Sequence, residues 1–298
     1  MTKRHVKPGN PAACLICSGP EYEIFSKTIL GKYSVSYLRC SQCGFIHTER
    51  AYWLKEAYSE AISSLDVGLV HRNLSFLPVV QRFLDRVFKR GGRFLDYAGG
   101  YGLFTRLMRD KGFDFYRQDQ YCENIFAADF DSNQLSPQER KFSLITAFEV
   151  FEHFTNPRTE MHKILHFGDL ILFSTQLVPD DQASLSQWWY LSPESGQHIS
   201  FYTERSLREL GATFGLEFYS NGRDMHLFTK DARIGSAFLA SFHLTKLRRI
   251  LNLAMRITVK TLRIFRNPQP ARESLLEADH RAAIAKTLKH PKKKNRKE

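Results

Sequence analysis

Cysteine is scarce in this chain, and long apolar runs are missing. Five cysteines in 298 residues are too few to staple a chain of this size, which excludes a disulfide-built scaffold. No stretch approaches the ~18 consecutive apolar residues of a bilayer-spanning helix. The opening segment, MTKRHVKPGNPAAC, is basic but lacks an apolar centre, so it does not read as a secretory signal. A cytoplasmic protein is expected. Wholesale disorder is excluded too, because 43% of the residues are hydrophobic and 25% charged, near the globular average.

Acid is in short supply in one place only. Residues 231–298 hold 17 Lys/Arg against 5 Asp/Glu, which accounts for the whole net charge of +12. The first 230 residues balance at zero, so the basic character is not a nucleic-acid footprint on the main body. Three regions separate by composition: 1–60 with four of the five cysteines, 61–230 with alternating apolar patterns, and a basic tail over 231–298.

The middle region alternates helix and strand patterns. Val79, Val80, Phe83, Leu84, Val87 and Phe88 recur at helical spacing and stop at Gly91-Gly92. Short apolar runs at 93–96, 113–116, 142–148 and 170–173 read as strands, with a weak one at 124–127. Such alternation predicts a parallel sheet covered by helices on both faces. Two last runs, 216–219 and 225–228, flank Asn221-Gly222 and predict a closing antiparallel hairpin.

The first strand runs into Asp96-Tyr-Ala-Gly-Gly-Tyr-Gly102. Glycines at a strand-to-helix turn let backbone approach a ligand, and the helix start offers free N–H groups. Asp119, 23 positions on, ends the second strand where a carboxylate can take ribose hydroxyls. An acid followed by small residues at alternate positions (Asp96, Ala98, Gly100, Gly102) resembles the class I S-adenosylmethionine (SAM)-dependent methyltransferases. So do Ala128-Asp129-Phe130, the strand-and-loop Phe142 to Glu152-His153, and the closing hairpin. The resemblance covers roughly 75–230. It implies a Rossmann-like α/β fold with a seven-stranded sheet. It also implies SAM held by Asp96, Ala98, Gly99, Gly100, Gly102, Asp119, Asp129, Phe130 and Phe148. Ala98 departs from the family at its first glycine: its methyl group is either tolerated beside the cofactor or weakens binding.

Methyl transfer to a hydroxyl or carbon acid needs a base. His198, His153 and Glu152 are the candidates. Glu152-His153 follows a strand at the carboxyl edge of the sheet, where open α/β sheets bind ligands, although helix capping or loop bracing explains the pair equally well. His198 lies in an aromatic-rich segment, Gln187-Trp-Trp-Tyr-Leu-Ser-Pro-Glu-Ser-Gly-Gln-His-Ile-Ser-Phe-Tyr202. Aromatic faces beside polar groups suit a sugar or another flat polar acceptor, and equally an aromatic cover for the sheet edge. Similar segments occur in methyltransferases associated with cell-surface glycans and other small metabolites.

Cys14-x-x-Cys17 and Cys40-x-x-Cys43 stand 22 residues apart. Two such turns present four thiolates to one structural zinc ion, with no position open for substrate. Zinc modules ahead of such a core resemble two precedents, sugar C-methyltransferases and an RNA methyltransferase. The neutral main body favours a small polar acceptor, whether a sugar, a nucleotide-sugar or a lipid-linked glycan. RNA methylation and a catalytically silent scaffold remain as alternatives. Residues 236–266 carry seven Lys/Arg and no acid, a basic amphipathic pattern that fits an anionic membrane surface, its own core or RNA.

Overall fold

The computed structural model describes residues 13–59, 66–89, 91–242 and Leu275. Most of the expected basic helix, and the Lys-rich end, lie outside the described residues.

The first strands are an antiparallel meander: β1 (Glu21–Ile29), β2 (Tyr33–Cys40) and β3 (Ile46–Thr48). Its inward side chains, among them Ile29, Val35, Tyr37 and Ile46, are buried with Trp53, Tyr190 and Phe201. The fourth strand of this sheet comes from far along the chain. β8 (Ser200–Phe201) pairs antiparallel with β3, matching Ile46 to Phe201 and His47 to Ser200.

The second sheet contains β4 (Arg93–Tyr97), β5 (Asp114–Gln118), β6 (Leu144–Phe148), β7 (Ile171–Ser174), β9 (Glu217–Ser220) and β10 (Met225–Thr229). Their spatial order is β5-β4-β6-β7-β10-β9. The first four are parallel, and β10 runs antiparallel to both β7 and β9. Side chains alternate between two cores: on β7, Ile171 and Phe173 join one and Leu172 the other. Both faces are dry, which is why these strands read as unbroken apolar runs.

Helices cover both faces. α1 (Leu54–Ala57) leads from the meander towards the second sheet. α2 (Leu69–Val87) and α3 (Leu103–Asp110) bury Val80, Phe83, Leu84, Phe104 and Met108 in one core, together with Phe238 of a helical segment over 232–242. α4 (Pro157–Leu165) and α6 (Glu204–Thr213) bury Met161, Ile164, Leu207 and Leu210 in the other; the short α5 (Gln182–Leu185) lies between them in sequence. The α4 start is set by Asn156, whose side chain accepts the Thr159 N–H, with Pro157 in the first turn. Thr203 and Ser206 cap α6 reciprocally.

The described residues show six strands in this sheet where seven were expected. Residues 124–127 are a turn and not a strand. Asn124 Oδ1 accepts the Ala127 N–H at 3.0 Å while its Nδ2 donates to the Ala127 carbonyl at 2.6 Å. A side chain that satisfies the backbone locally removes the incentive to pair in a sheet. Beside β5 only a single bridge remains, between Arg117 and Asp131.

Candidate active site

At the carboxyl end of β4 the chain turns sharply into α3. Ala98 takes φ +52°, Gly100 +55° and Gly102 +84°. Ala98 therefore occupies the left-handed region, which suits glycine and costs an L-residue about 1 kcal/mol. Gly99 is required for a different reason: a Cβ there would stand 2.6 Å from Asp96 Oδ2. The Asp96 carboxylate accepts hydrogen bonds from Thr146 Oγ1 (2.9 Å) and Thr105 Oγ1 (3.4 Å), and burial pushes its pKa up to about 7.

Two side chains from β5 and its end brace this turn. Arg117, almost wholly buried, donates to the Gly100 carbonyl at 2.5 Å and to the Cys122 carbonyl, and pairs with Asp131 at 2.8 Å. The Asp119 carboxylate accepts three backbone N–H bonds, from Gly100 (3.0 Å), Tyr121 (2.7 Å) and Cys122 (2.9 Å). A carboxylate offers about four acceptor positions, so Asp119 both shapes the loop and keeps about one for a ligand hydroxyl.

This turn forms one end of a cleft of about 740 Å³, within the size range of small-molecule sites. Asp96, Ala98, Gly99, Gly100, Asp119 and Phe148 line it. Gly102 lies just behind the lining and opens α3. Asp129 and Phe130 are not among the lining residues. Phe130 instead packs under the Arg109 guanidinium, 3.4 Å from its ring centroid, and edge-on to Tyr116. The turn that precedes them is held by the Ile125 and Phe126 N–H groups on the Tyr101 carbonyl.

The other end of the cleft is assembled from distant segments. Tyr58 arrives from the residue after α1, Glu149 and His153 from the loop after β6, and Tyr190, Gln197 and His198 from the segment ahead of β8. Glu149 has φ +55°, and such strain in a non-glycine residue collects at functional sites. Its carboxylate accepts from Ser174 Oγ (2.6 Å) and Tyr190 OH (3.3 Å), and burial pushes its pKa up to about 7. Glu152 lies beneath the cleft wall, and burial raises it to about 7 as well. His153 Nδ1 meets Tyr58 OH at 2.9 Å and the Gln197 carbonyl at 3.1 Å; His198 Nδ1 meets the Tyr190 carbonyl at 2.7 Å. Burial draws His153 down to about 4 and His198 to about 3, so both imidazoles are neutral near pH 7. The two rings stand edge to face, 5.0 Å between centroids. Trp189, 73% exposed, lies at the mouth, whereas Tyr190 is buried.

Sequence reasoning brought His153 and His198 into view but missed Glu149 and Tyr58. Glu149 stands in the same Phe-Glu-Val-Phe-Glu-His run as Glu152, and the position directly after an expected strand end was the available signal. Nothing local marks Tyr58 as a partner of a residue 95 positions away.

The four cysteines gather into one cluster whose sulfurs all lie within 4.8 Å of one another. Cys14 and Cys43 sulfurs are 3.7 Å apart, and those of Cys17 and Cys40 are 3.4 Å apart. Zn–S bonds of ≈ 2.3 Å in a tetrahedron imply S···S separations of about 3.8 Å. The N–H groups of Ile16, Gln42 and Cys43 point at sulfurs of the cluster, and the hydrogen bond with Cys43 holds the Cys14 thiol below its usual range. The donor set fits a closed four-thiolate metal site. Thr203, at the start of α6, donates to the Cys43 carbonyl at 2.7 Å and fastens this module to the main core.

Residues 70–221, just over half of the chain, match the sequence profile of the family described as Methyltransferase domain. No curated protein matches the chain by sequence. Among solved structures it is similar to the plantazolicin methyltransferase BpumL in complex with SAH, at 15% identity over 67% of this chain and 90% of that one, TM-score 0.46. It is similar also to the magnesium protoporphyrin IX methyltransferase from Synechocystis PCC 6803 with bound SAH, at 16% identity over 59% and 92%, TM-score 0.40. A third is an O-methyltransferase family 2 protein from Planctomyces limnophilus DSM 3776 in complex with apigenin, at 18% identity over 59% and 65%, TM-score 0.35.

Proposed function

The chain belongs to the methyltransferase-domain family and is a SAM-dependent enzyme; from that premise we propose that it methylates a small polar acceptor, a sugar or sugar conjugate, inside the cleft. The observation that carries this reading is the two-ended cleft itself. One end is a backbone cradle, and the other is walled by Glu149, His153, Gln197 and His198 with Tyr58 and Trp189 beside them. SAM supplies an electrophilic methyl group on a sulfonium. The turn from Asp96 to Gly102 and the Asp119 carboxylate would hold it, with Phe148 beneath. The polar wall orients the acceptor for in-line attack, which provides much of the rate by alignment alone, and the carboxylate–imidazole cluster receives the acceptor's proton.

The charge of the lining argues for a small acceptor over RNA. Asp66, Asp96, Asp119, Glu149 and Glu160 face three basic residues, Lys55, Arg72 and Lys163. Arg72 is already paired with Asp66 at 2.6 Å, and Lys163 with Glu160 at 2.8 Å. A polyphosphate backbone needs clustered Lys/Arg, which this wall does not offer. In the same reading Cys14, Cys17, Cys40 and Cys43 hold one structural zinc ion, because the four thiols close the coordination sphere among themselves.

Titration calorimetry with SAM and with its demethylated product tests the cradle. Saturable micromolar binding is expected, weakened about tenfold or more by Asp119→Ala, because three loop N–H groups lose their acceptor along with the ligand contact. Folded, zinc-loaded protein that binds neither compound would return the chain to a silent scaffold.

A further inference from the structure

Glu152, His153 and His198 each offer a ligating atom, and these atoms lie within 4.8 Å of one another. The three meet because the loop after β6 passes the segment leading into β8, where the Ile199 N–H donates to the Glu152 carbonyl at 2.8 Å. Glu152 is 0% exposed, and neither of its carboxylate oxygens has a hydrogen-bond partner. A buried carboxylate in that condition calls for a cation or a proton. The neighbouring guanidinium, Arg72, is committed to Asp66 through two nitrogens, at 2.6 and 2.7 Å.

The histidines are held as ligands are held. A backbone carbonyl can accept but never donate, so the contact of His198 Nδ1 with the Tyr190 carbonyl places the ring proton on Nδ1 and leaves Nε2 as the acceptor. His153 Nδ1 stands against the Gln197 carbonyl and the Tyr58 hydroxyl, and a proton on Nδ1 satisfies both as acceptors and leaves Nε2 free in the same way. An imidazole anchored on a carbonyl through one nitrogen is the usual second contact of a metal-ligating histidine.

We propose that Glu152, His153 and His198 bind one divalent first-row transition ion at the acceptor end of the cleft. Two imidazoles and a carboxylate are the donor set such ions accept, and three protein ligands leave positions open. The four-cysteine cluster, by contrast, leaves none. His153 and His198 line the cleft, so the open positions face an entering acceptor. There the ion would bind an acceptor hydroxyl oxygen and lower its pKa. With both imidazoles engaged as ligands, the proton would pass to the Glu149 carboxylate and not to a histidine, the oxygen lone pair would form the bond to the methyl carbon, and the C–S bond pair would remain on sulfur. This role rests on the methyl-transfer reading above; binding of the ion does not.

The test is titration with Mn2+ of the full chain loaded with one equivalent of zinc, enough for the four thiolates alone, followed by the electron paramagnetic resonance signal of the free ion. One saturable Mn2+ per chain is expected, with affinity lowered tenfold or more in Glu152→Gln and in His198→Ala. Zinc content by mass spectrometry and SAM affinity, measured on the same variants, check that they are folded. Should either variant fail to fold, Co2+ added to the zinc-loaded native chain decides the matter. Weak visible bands without thiolate charge transfer support the site, and their absence overturns it. No second metal equivalent, or equal affinity in folded variants, also overturns it. Mn2+ binding without turnover on any acceptor would instead sink the methyl-transfer reading and leave the ion site standing.

Discussion

The two ends of the cleft are built in opposite ways. The cradle end comes from two short stretches, 96–102 and 117–122, joined by local hydrogen bonds. Gly100 N–H reaches Asp119, and Arg117 reaches back to the Gly100 carbonyl. The acceptor end draws on three stretches spread between Tyr58 and His198, and its contacts span as much as 140 positions, from the Gln197 amide to the Ala57 carbonyl. The first is a motif and the second is an assembly. A motif keeps its geometry through its own turn chemistry, whereas an assembly keeps it only while the elements beneath remain docked.

The largest expected effect breaks the assembly from a distance. Stripping the cysteine cluster with a chelator, or replacing Cys40 with serine, would remove the proposed zinc ion, whose binding in small zinc modules is worth roughly 10–16 kcal/mol. The meander shares β8 with the segment that carries His198, so loss of the cluster is expected to abolish turnover. SAM affinity at the cradle end should fall far less. Turnover and calorimetry on the same Cys40→Ser sample check this, and equal losses at both ends would show that the division is false.

A smaller effect is expected from a single wall residue. His198→Ala should lower turnover by about a hundredfold or more while SAM binding stays within about threefold. Unchanged steady-state rates would remove His198 from the reaction.

The cradle can be probed through pH. Burial raises the Asp96 carboxyl from 3.8 to about 7, so between those values the folded state holds a proton that the unfolded state has released. Its contribution to stability is therefore present below about pH 4 and lost as pH rises towards 7. Asp96→Asn removes this dependence. The melting temperature of the variant relative to the parent should be higher at pH 8 than at pH 5, and a difference independent of pH would refute the assignment.

The smallest effect concerns Ala98. Glycine at φ +52° relieves about 1 kcal/mol of backbone strain, partly offset by the greater freedom of the unfolded chain. Ala98→Gly should raise the melting temperature by up to about 2 °C without weakening SAM. A drop in melting temperature would mean that the alanine methyl packs more favourably than its backbone suffers.

How much could be read in advance follows the same division. Strand runs such as Leu170 to Phe173 were legible because both faces of the sheet are dry, and the hairpin was legible from Asn221-Gly222. Residues 124–127 misled because their apolar pattern resembles a short strand, while the deciding event is a pair of side-chain bonds from Asn124. Asp129 and Phe130 were expected near the cofactor from their place in a pattern. Their positions depend on that turn and on the packing of Phe130 against Arg109, which no linear pattern records.

By itself, the sequence determined the chemistry of short range: the left-handed turn after Asp96, the four-thiol donor set, and the alternation that makes a two-faced parallel sheet. These depend on backbone sterics, ligand type and periodicity, all properties of neighbours along the chain. Only the tertiary structure decided that β8 completes the amino-terminal sheet, that Tyr58 braces His153, and that Glu152 lies buried without a partner beside two histidines. Those facts depend on which distant surfaces exclude water together, and a partner's position in space has no counterpart in its position along the chain.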